Sequence, residues 1–328
     1  MRSPSSRASA DPMLNEDIPG ELAMTHRIFV TGATGYVGSA VAARLARAGH
    51  EVHGLTRRAE HARLLESIGV QPVVGDLADC EPWIGLLQNC DVAVHAAFDA
   101  ETGASEQDHN ALEALRVAAL DGRVRRVLYT SGIWVHGPGD EKPLDETSPL
   151  KPLELVQWRV AHEEIATDLS VHDVTAVVLR PGMVYGENRG VLGAWFAEAH
   201  AKKTLTYPGD GAQRWPMAHR DDVADAYLLA LEHGGHGERY LLADESRHTV
   251  RQLAEAAAAA SGATPRSWPA HELVAALGLY GKALLNDATV TSAKARRELG
   301  WVPRHASFVA EAPQLWREWL EGRAATVA

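Results

Sequence analysis

Residues 31–38 read Thr-Gly-Ala-Thr-Gly-Tyr-Val-Gly, and they join two patterns of different periodicity. Before them, the apolar run from Arg27 to Thr31 is typical of a buried parallel strand. After them, apolar residues recur at helical spacing from Val37 to Ala48, and Gly49 stands where a helix C-terminal cap belongs. The sequence therefore predicts a strand, a glycine-rich loop and a helix in direct succession.

The glycines of this loop have separate physical roles. One permits the tight turn, one lets backbone N–H groups approach a pyrophosphate, and one lets the helix pack on the strand. The N-terminus of the helix adds about half a positive charge. We therefore expect a dinucleotide to contact Gly32, Thr34, Gly35, Tyr36, Val37 and Gly38.

Strand and helix patterns alternate as far as residue 186. Further strands are expected at residues 52–55, 72–75, 91–95, 124–130 and 174–179, and further helices at 59–67, 106–120 and 153–169. Such alternation requires right-handed crossovers and predicts an α/β fold with a doubly wound parallel sheet.

The sequence as a whole predicts a division of the chain into three parts of unequal length. Residues 1–24 lack apolar periodicity and are expected to form a flexible extension, with Met24 as a possible later start. Residues 25–186 form the dinucleotide-binding domain, and residues 187–328 a smaller, mostly helical substrate-binding lobe that is interleaved with the sheet. In the lobe we expect helices at 190–202, 222–231, 250–260 and 308–321, and strands near 205 and 240.

Composition excludes several other classes of protein. The 328 residues carry a net charge of −11, which disfavours nucleic-acid binding. Two cysteines are too few for a disulfide framework or a cysteine-based zinc site, and they suit a reducing cytoplasm. No apolar run approaches the length of a membrane span. We expect a cytoplasmic protein with a small-molecule substrate and no metal, nucleic-acid or membrane partner.

The end of the second strand predicts which dinucleotide is bound. A carboxylate there would hold the ribose 2′-hydroxyl of NAD, whereas arginine accommodates the 2′-phosphate of NADP. Residues 54–58 read Gly-Leu-Thr-Arg-Arg, without a carboxylate. Arg57 and Arg58 therefore favour NADP(H) over NAD(H), although a solvated basic pair is the alternative.

Further motifs follow the later strands: Gly-Asp-Leu at 75–77, Val-His-Ala-Ala at 94–97, Tyr-Thr-Ser-Gly-Ile-Trp-Val-His-Gly at 129–137 and Leu-Arg-Pro-Gly-Met-Val-Tyr-Gly at 179–186. With the loop at 31–38, they resemble the extended short-chain dehydrogenase/reductases, also called the NAD(P)-dependent epimerase/dehydratase family. The resemblance implies a Rossmann-type fold. It also implies cofactor contacts at Asp76, Leu77, Ala96, Ala97, Phe98 and Pro181.

The chain departs from this family at its catalytic groups, which are usually Ser or Thr with Tyr-x-x-x-Lys. The Ser/Thr position falls on Gly132, with Ser131 one residue earlier. The helix after Leu153 can be aligned with the family's Tyr-x-x-x-Lys helix in two registers. In one register Leu155 and Arg159 stand at the Tyr and Lys positions, and in the other both positions are valine. The chain thus resembles an atypical member of the family.

Four residues are candidates to replace the missing catalytic groups: Ser131, His136, Arg159 and Tyr185. Arg159 can hold a ribose or substrate oxygen but cannot act as a base, because its pKa stays above about 12. Its alternative is an ion pair with Glu163.

Each of the other three candidates also has a structural alternative. Ser131 can donate if the strand bulges, or can bond to backbone instead. His136 is a possible acid/base or only a loop histidine, and Tyr185 a possible proton donor or a packed aromatic. Trp134, together with His136, is expected to contact substrate.

Three functions remain open. The first is an NADP(H)-dependent oxidoreductase that acts on a carbonyl or alcohol group of a small molecule. The second is a redox-neutral epimerase, isomerase or dehydratase that retains its cofactor, and the third is an inactive NADP(H)-sensing regulator. Ile133 and Trp134 replace the Asp-Glu pair of sugar-nucleotide 4,6-dehydratases, which weakens that subclass. We favour the functions in this order.

The resemblance also implies a homodimer. Relatives often dimerise through the two helices that correspond to residues 106–120 and 153–169. Leu112, Leu115 and Ala119 can form such a dimer face, but a contact within the core of one chain fits them equally.

Overall fold

The structure is a computed structural model that describes residues 24–98, 103–169 and 173–327. The expected N-terminal extension, apart from Met24, lies outside the described residues. In chain order the strands are β1 (Arg27–Thr31), β2 (Glu51–Thr56), β3 (Gln71–Val74), β4 (Val92–His95), β5 (Arg126–Thr130), β6 (Thr175–Pro181), β7 (Met183–Tyr185), β8 (Thr204–Pro208), β9 (Met217–His219), β10 (Arg239–Leu242) and β11 (Thr264–Trp268). The helices are α1 (Tyr36–Arg47), α2 (Ala62–Ser67), α3 (Glu81–Gln88), α4 (Ala104–Asp121), α5 (Trp158–Asp168), α6 (Gly190–Lys202), α7 (Arg220–His233), α8 (Val250–Ser261), α9 (Ala270–Leu284), α10 (Ala293–Leu299) and α11 (Phe308–Val327).

The central sheet has seven parallel strands in the order β10-β6-β5-β4-β1-β2-β3. The chain runs outward from β1 through β2 and β3, and then returns to add β4, β5, β6 and β10 on the other side. The order therefore reverses between β1 and β4, and this switch point leaves a crevice at the carboxyl ends of the strands. The predicted doubly wound, Rossmann-type parallel sheet is confirmed.

Alternate side chains of the strands pack on opposite faces of the sheet. Ile28 and Val30 of β1 belong to the core beneath α1 and α7, whereas Phe29 belongs to the core beneath α3 and α4. Both faces are apolar because helices cover both, as the continuous apolar runs predict. Leu112, Leu115 and Ala119 lie in the second core and are at most 3% exposed. Of the two alternatives for these residues, the structure shows the contact within one chain.

The residues after 186 serve both parts of the molecule. Helices α6, α8, α9 and α11 pack around a third core with the two-stranded sheet of β8 and β11. In contrast, β10 joins the central sheet, and α7 and α10 cover one of its faces. Among the described residues, no helix is both long and apolar enough to span a membrane.

Six elements were not predicted from the sequence: the 15-residue helix α9 and the shorter α3, α10, β7, β9 and β11. Helix α3 has only eight residues, so it shows little more than two helical turns of periodicity. Its proline in the first turn and the buried Trp83 and Leu87, four residues apart, are the signals that indicate it. Helix α9 contains Gly278 at a φ of +56°, which interrupts the helical pattern.

A buried polar cluster ties α5 to β6. Arg180, 1% exposed, donates from Nε to Glu163 Oε1 at 3.0 Å and from Nη2 to Glu163 Oε2. Its Nη1 donates to His136 Nε2 at 2.9 Å. Since arginine can only donate, Nε2 of His136 is the unprotonated nitrogen. Burial and the Arg180 charge lower the pKa of His136 to about 4.

Replacing Glu163 with glutamine should lower the free energy of unfolding by about 3–5 kcal/mol, because the buried Arg180 cation loses its counter-charge. Urea unfolding measures this loss. The control is Glu113→Gln, which breaks the exposed pair with Arg116 and should cost less than about 0.5 kcal/mol. A loss for Glu163→Gln as small as that of the control would contradict the assignment.

The pH dependence of stability follows from the neutral His136. Because its pKa falls from 6.5 unfolded to about 4 folded, the unfolded chain binds more protons between these values. The free energy of unfolding therefore drops as pH falls from 6.5 to 4, by on the order of 3 kcal/mol from this group. His136→Gln keeps a neutral hydrogen-bond acceptor and should reduce the slope in that window; the share of His219, whose pKa burial and His305 also lower to about 4, should remain. His233→Gln, at an exposed histidine, should leave the slope unchanged; an equal slope in both variants would refute the assignment.

Candidate cofactor and active site

A continuous cavity of about 460 Å³ occupies the crevice at the switch point. It begins at the glycine loop and passes the carboxyl ends of β1, β2, β4, β5 and β6. We call the part at Thr56 and Arg57 the β2 end, and the part from Thr130 to Trp134 the β5 end.

The glycine loop packs so closely that no side chain has room at Gly32 or Gly38. Gly32 has a φ of +67°, and a Cβ there would lie 2.6 Å from backbone atoms of Ala97. A Cβ on Gly38 would lie 2.2 Å from the carbonyl oxygen of Gly32. The Gly35 N–H donates to that same carbonyl at 2.8 Å, and α1 begins at the next residue. The loop thus presents its backbone and the N-terminus of α1 to the cavity, and this arrangement favours the binding of an anion.

Most of the predicted cofactor residues line this cavity. They are Gly32, Thr34, Gly35, Tyr36, Val37, Arg57, Leu77, Ala96, Ala97, Phe98 and Pro181. Gly38, Arg58 and Asp76 are not among the described lining residues. Gly38 packs beneath the loop, Arg58 Nη1 lies 3.8 Å from Glu60 Oε1 at the surface, and Asp76 Oδ1 accepts the Ala78 N–H at 2.8 Å.

The β5 end is largely apolar. Ile133, Trp134 and Val156 line it, and the Trp134 ring meets Tyr280 edge-on at a centroid distance of 6.3 Å. Gly132 lies in the same wall with extended backbone, and a Cβ there would have its nearest neighbour, Pro181 O, at 3.9 Å. The glycine is therefore not imposed by sterics, and it leaves space in the cavity.

Ser131 also lines the β5 end, without a strand bulge to bring it there. β5 ends at Thr130, the Ser131 N–H still donates to the Leu179 carbonyl of β6 at 2.8 Å, and a 3₁₀ turn begins at Ile133. Its Oγ is buried and has no hydrogen-bond partner among the described residues. The neighbouring Thr130 hydroxyl, in contrast, hydrogen-bonds to the Tyr227 hydroxyl at 2.5 Å. A buried hydroxyl without a partner costs stability unless a ligand satisfies it.

Arg159 extends from α5 into the cavity wall. Its Nη1 donates to the Thr130 carbonyl at 2.9 Å, and its guanidinium lies over the rings of Phe98 and Trp158, at 5.0 and 4.5 Å from their centroids. The alternative pairing with Glu163 is not made, since Glu163 binds Arg180. Arg159 therefore presents a cation to the cavity.

Asp108 of α4 also reaches the cavity wall, and the sequence analysis missed it. It is 3% exposed and accepts hydrogen bonds from three side chains: His95 Nε2 at 3.0 Å, Tyr129 OH at 2.7 Å and His162 Nδ1 at 2.7 Å. Burial alone would raise the pKa of Asp108. The charge and hydrogen bond of His95, the bond from His162 and the Arg159 charge outweigh it and hold the pKa well below its usual range. The signal in the sequence was a carboxylate on the same helical face as Leu112 and Leu115.

Two catalytic candidates lie away from the cavity. His136 belongs to the Arg180 cluster, and neither it nor Tyr185 is among the described lining residues. Tyr185 is buried against His219 and Phe308, and its hydroxyl is 3.5 Å from Asp244 Oδ2. Burial and Asp244 raise the pKa of Tyr185 far above its ordinary value. Its surroundings are those of a packed aromatic.

Comparisons with known proteins agree with this geometry. The model of the NAD dependent epimerase/dehydratase family matches residues 28–243. A UDP-glucose 4-epimerase of Mycolicibacterium smegmatis is 30% identical over 85% of this chain and 94% of its own length. A 4-hydroxy-2-methyl-3-oxo-4-farnesyl-3,4-dihydroquinoline-1-oxide ketoreductase of Stigmatella aurantiaca is 28% identical over 85% of this chain and 92% of its own length.

Solved structures share the fold. A double mutant of the dTDP-glucose 4,6-dehydratase DesIV of Streptomyces venezuelae, with NAD bound, superposes with a TM-score of 0.78. It is 23% identical, and the match covers 91% of this chain and 98% of that one. The glycine loop, the switch-point cavity and the match over residues 28–243 lead to one conclusion: the chain belongs to the NAD dependent epimerase/dehydratase family of extended short-chain dehydrogenase/reductase enzymes.

Proposed function

We propose that this enzyme is an NADP(H)-dependent oxidoreductase that acts on a carbonyl or alcohol group of a small molecule without the usual Tyr-x-x-x-Lys. One observation carries the proposal: a single cavity joins the glycine loop and Arg57 to Arg159 and to Ser131, whose buried hydroxyl has no hydrogen-bond partner among the described residues. None of the seven tyrosines is followed by lysine four residues later.

The cavity fits a dinucleotide phosphate. Gly32 and Gly38 leave no room for side chains, so the backbone itself forms the cradle for a pyrophosphate. At the β2 end the described lining residues include Arg57 and no carboxylate, which favours a 2′-phosphate over a free 2′-hydroxyl. Arg58, being exposed and outside the lining, contributes less.

The β5 end supplies the groups for carbonyl chemistry. When bound, the nicotinamide gives or takes a hydride. Ketone reduction adds that hydride to the carbonyl carbon and one proton, finally from water, to the oxygen. The Ser131 hydroxyl donates the hydrogen bond along which the proton reaches the oxygen, and Arg159 stabilises negative charge there or holds a ribose hydroxyl. Arg159 keeps its own proton throughout.

The apolar lining indicates the kind of substrate. Ile133, Trp134 and Val156 suit a flat apolar group beside the reacting carbonyl. The Stigmatella relative, by its name, is a ketoreductase of a farnesylated quinoline oxide. An ordinary 4-epimerase uses the tyrosine of Tyr-x-x-x-Lys as its proton shuttle, and this sequence has no such motif. The homodimer and the cytoplasmic location stay predictions.

Titration of purified protein with NADPH and NADH, followed by energy transfer from its nine tryptophans, tests the cofactor. Arg57→Glu should raise the Kd for NADPH about 10- to 100-fold, because charge-assisted hydrogen bonds to the 2′-phosphate are lost. It should leave NADH binding unchanged or tighter. Arg58→Glu, the matched control, should change either Kd less than about threefold. Equal effects of the two variants would sink the assignment of Arg57, and no binding of either nucleotide would sink the proposed function.

Consumption of NADPH with a panel of aromatic ketones tests the reaction itself. With the best ketone of the panel, Ser131→Ala should lower kcat about 10- to 100-fold, since a hydrogen bond to the reacting oxygen is lost, and should leave the Kd for NADPH unchanged. Ser246→Ala, at a buried hydroxyl outside this cavity, is the control and should keep kcat. Tightly bound cofactor without net consumption would favour the redox-neutral alternative.

A further inference from the structure

The buried carboxylate of Asp108 stands at the centre of a cluster that no part of the proposed reaction uses directly. It lies on the apolar face of α4 among residues of the second core and borders the cavity. A buried charge is retained only when several partners compensate for its lost hydration. The identity of those partners therefore indicates what the charge is for.

Three donors hold the carboxylate in place from separate elements. Tyr129 of β5 and His162 of α5 bind Oδ2, and His95 of β4 binds Oδ1. The Thr31 hydroxyl hydrogen-bonds to Nδ1 of the same His95 ring at 2.7 Å, which fixes its orientation. Because an ionised carboxylate only accepts, all three contacts orient their protons toward Asp108. The carboxylate is thus fixed relative to β4, β5 and α5 at once.

The cation that this carboxylate faces is Arg159. Its Nη1 lies 3.8 Å from Asp108 Oδ1, and within the described ranges Asp108 is the only carboxylate within ion-pair distance of Arg159. Glu163, one helical turn along α5, is taken by Arg180. The aromatic rings of Phe98 and Trp158 lie against the guanidinium and restrict its movement, but they give it no counter-charge.

We propose that Asp108 is the positioning residue of Arg159, and that its fixed negative charge sets where the guanidinium sits at the β5 end of the cavity. The inference rests on the proposed function, in which Arg159 meets an oxygen of substrate or cofactor. Asp108 acts through Arg159 and not on the reacting atoms.

A double-mutant cycle measures whether Asp108 acts through Arg159. Asp108→Asn and Arg159→Gln should each lower kcat/KM for the ketone by about tenfold or more, and the double variant should lose no more than Arg159→Gln alone. Asp222→Asn is the matched control: that aspartate is 1% exposed and accepts the N–H groups of Arg304 and His305, outside the cavity lining. Losses that multiply, or an equal loss in Asp222→Asn, would overturn the proposal.

A milder variant covers the case in which Asp108→Asn does not fold. Tyr129→Phe removes one donor to the carboxylate and keeps the charge. It should lower kcat/KM a few-fold in the wild-type background and have no effect in the Arg159→Gln background. The same loss in both backgrounds would overturn the proposal as well.

Nuclear magnetic resonance of the arginine side chains separates this proposal from the function on which it rests. A guanidinium that is held in place gives side-chain N–H signals that exchange slowly with water. The signals of Arg159 are identified as those that are missing from the spectrum of Arg159→Gln. They should broaden or vanish in Asp108→Asn and persist in Asp222→Asn. Unchanged Arg159 signals in Asp108→Asn would refute the positioning role even if NADPH and ketone are turned over. Absence of turnover with the expected change in signals would refute only the function.

Discussion

The cavity depends on the close approach between the glycine loop and the backbone that follows β4. A Cβ at Gly32 would come within 2.6 Å of Ala97, a distance that real side chains do not tolerate. The lobe holds the same loop from the other side. Arg220 of α7 donates from Nε to the Tyr36 carbonyl at 2.7 Å, and the Tyr36 hydroxyl donates to the Gly186 carbonyl at 2.6 Å. The loop is therefore fixed between the sheet and the lobe, and the N-terminus of α1 is left facing the crevice.

The ion pairs that the buried charged residues form determine which cationic side chain lies at the cavity. Helix α5 carries Arg159 and Glu163 four residues apart, a spacing that favours an ion pair on an isolated helix. In the fold, Arg180 of β6 binds Glu163 through two nitrogens and Asp108 of α4 faces Arg159. These two tertiary pairs replace the local one because a buried charge left without a partner costs several kcal/mol, far more than a solvated helical pair contributes. As a result, Arg159 is directed to the β5 end.

The sequence predicts well what depends on local pattern. The strands from β1 to β6, the glycine loop and the long helices other than α9 follow from periodicity and from glycine placement, and the structure confirms the sheet that they imply. It predicts poorly what depends on tertiary partners. The loop of His136 predicted that its ring contacts substrate, but Nε2 of the ring accepts a hydrogen bond from Arg180, which lies 44 residues away in the sequence. Asp108 was missed for the same reason, because its donors come from β4, β5 and α5. Short elements such as α3 carry too few residues for their periodicity to be recognised.

In the proposed function, the β5 end has to support hydride transfer without the usual tyrosine. Hydride transfer needs the donor and acceptor carbons in near-attack geometry, and it does not itself need an acid. What the tyrosine would add is a proton donor and an anchor for the substrate oxygen. Here Ser131 and Arg159 lie where an oxygen can be held, while Gly132 leaves open the volume that a side chain would fill. Under the proposal, a substrate that occupied this volume and packed on Trp134 would be oriented by its apolar body, so its oxygen would need fewer polar contacts to reach the reactive position.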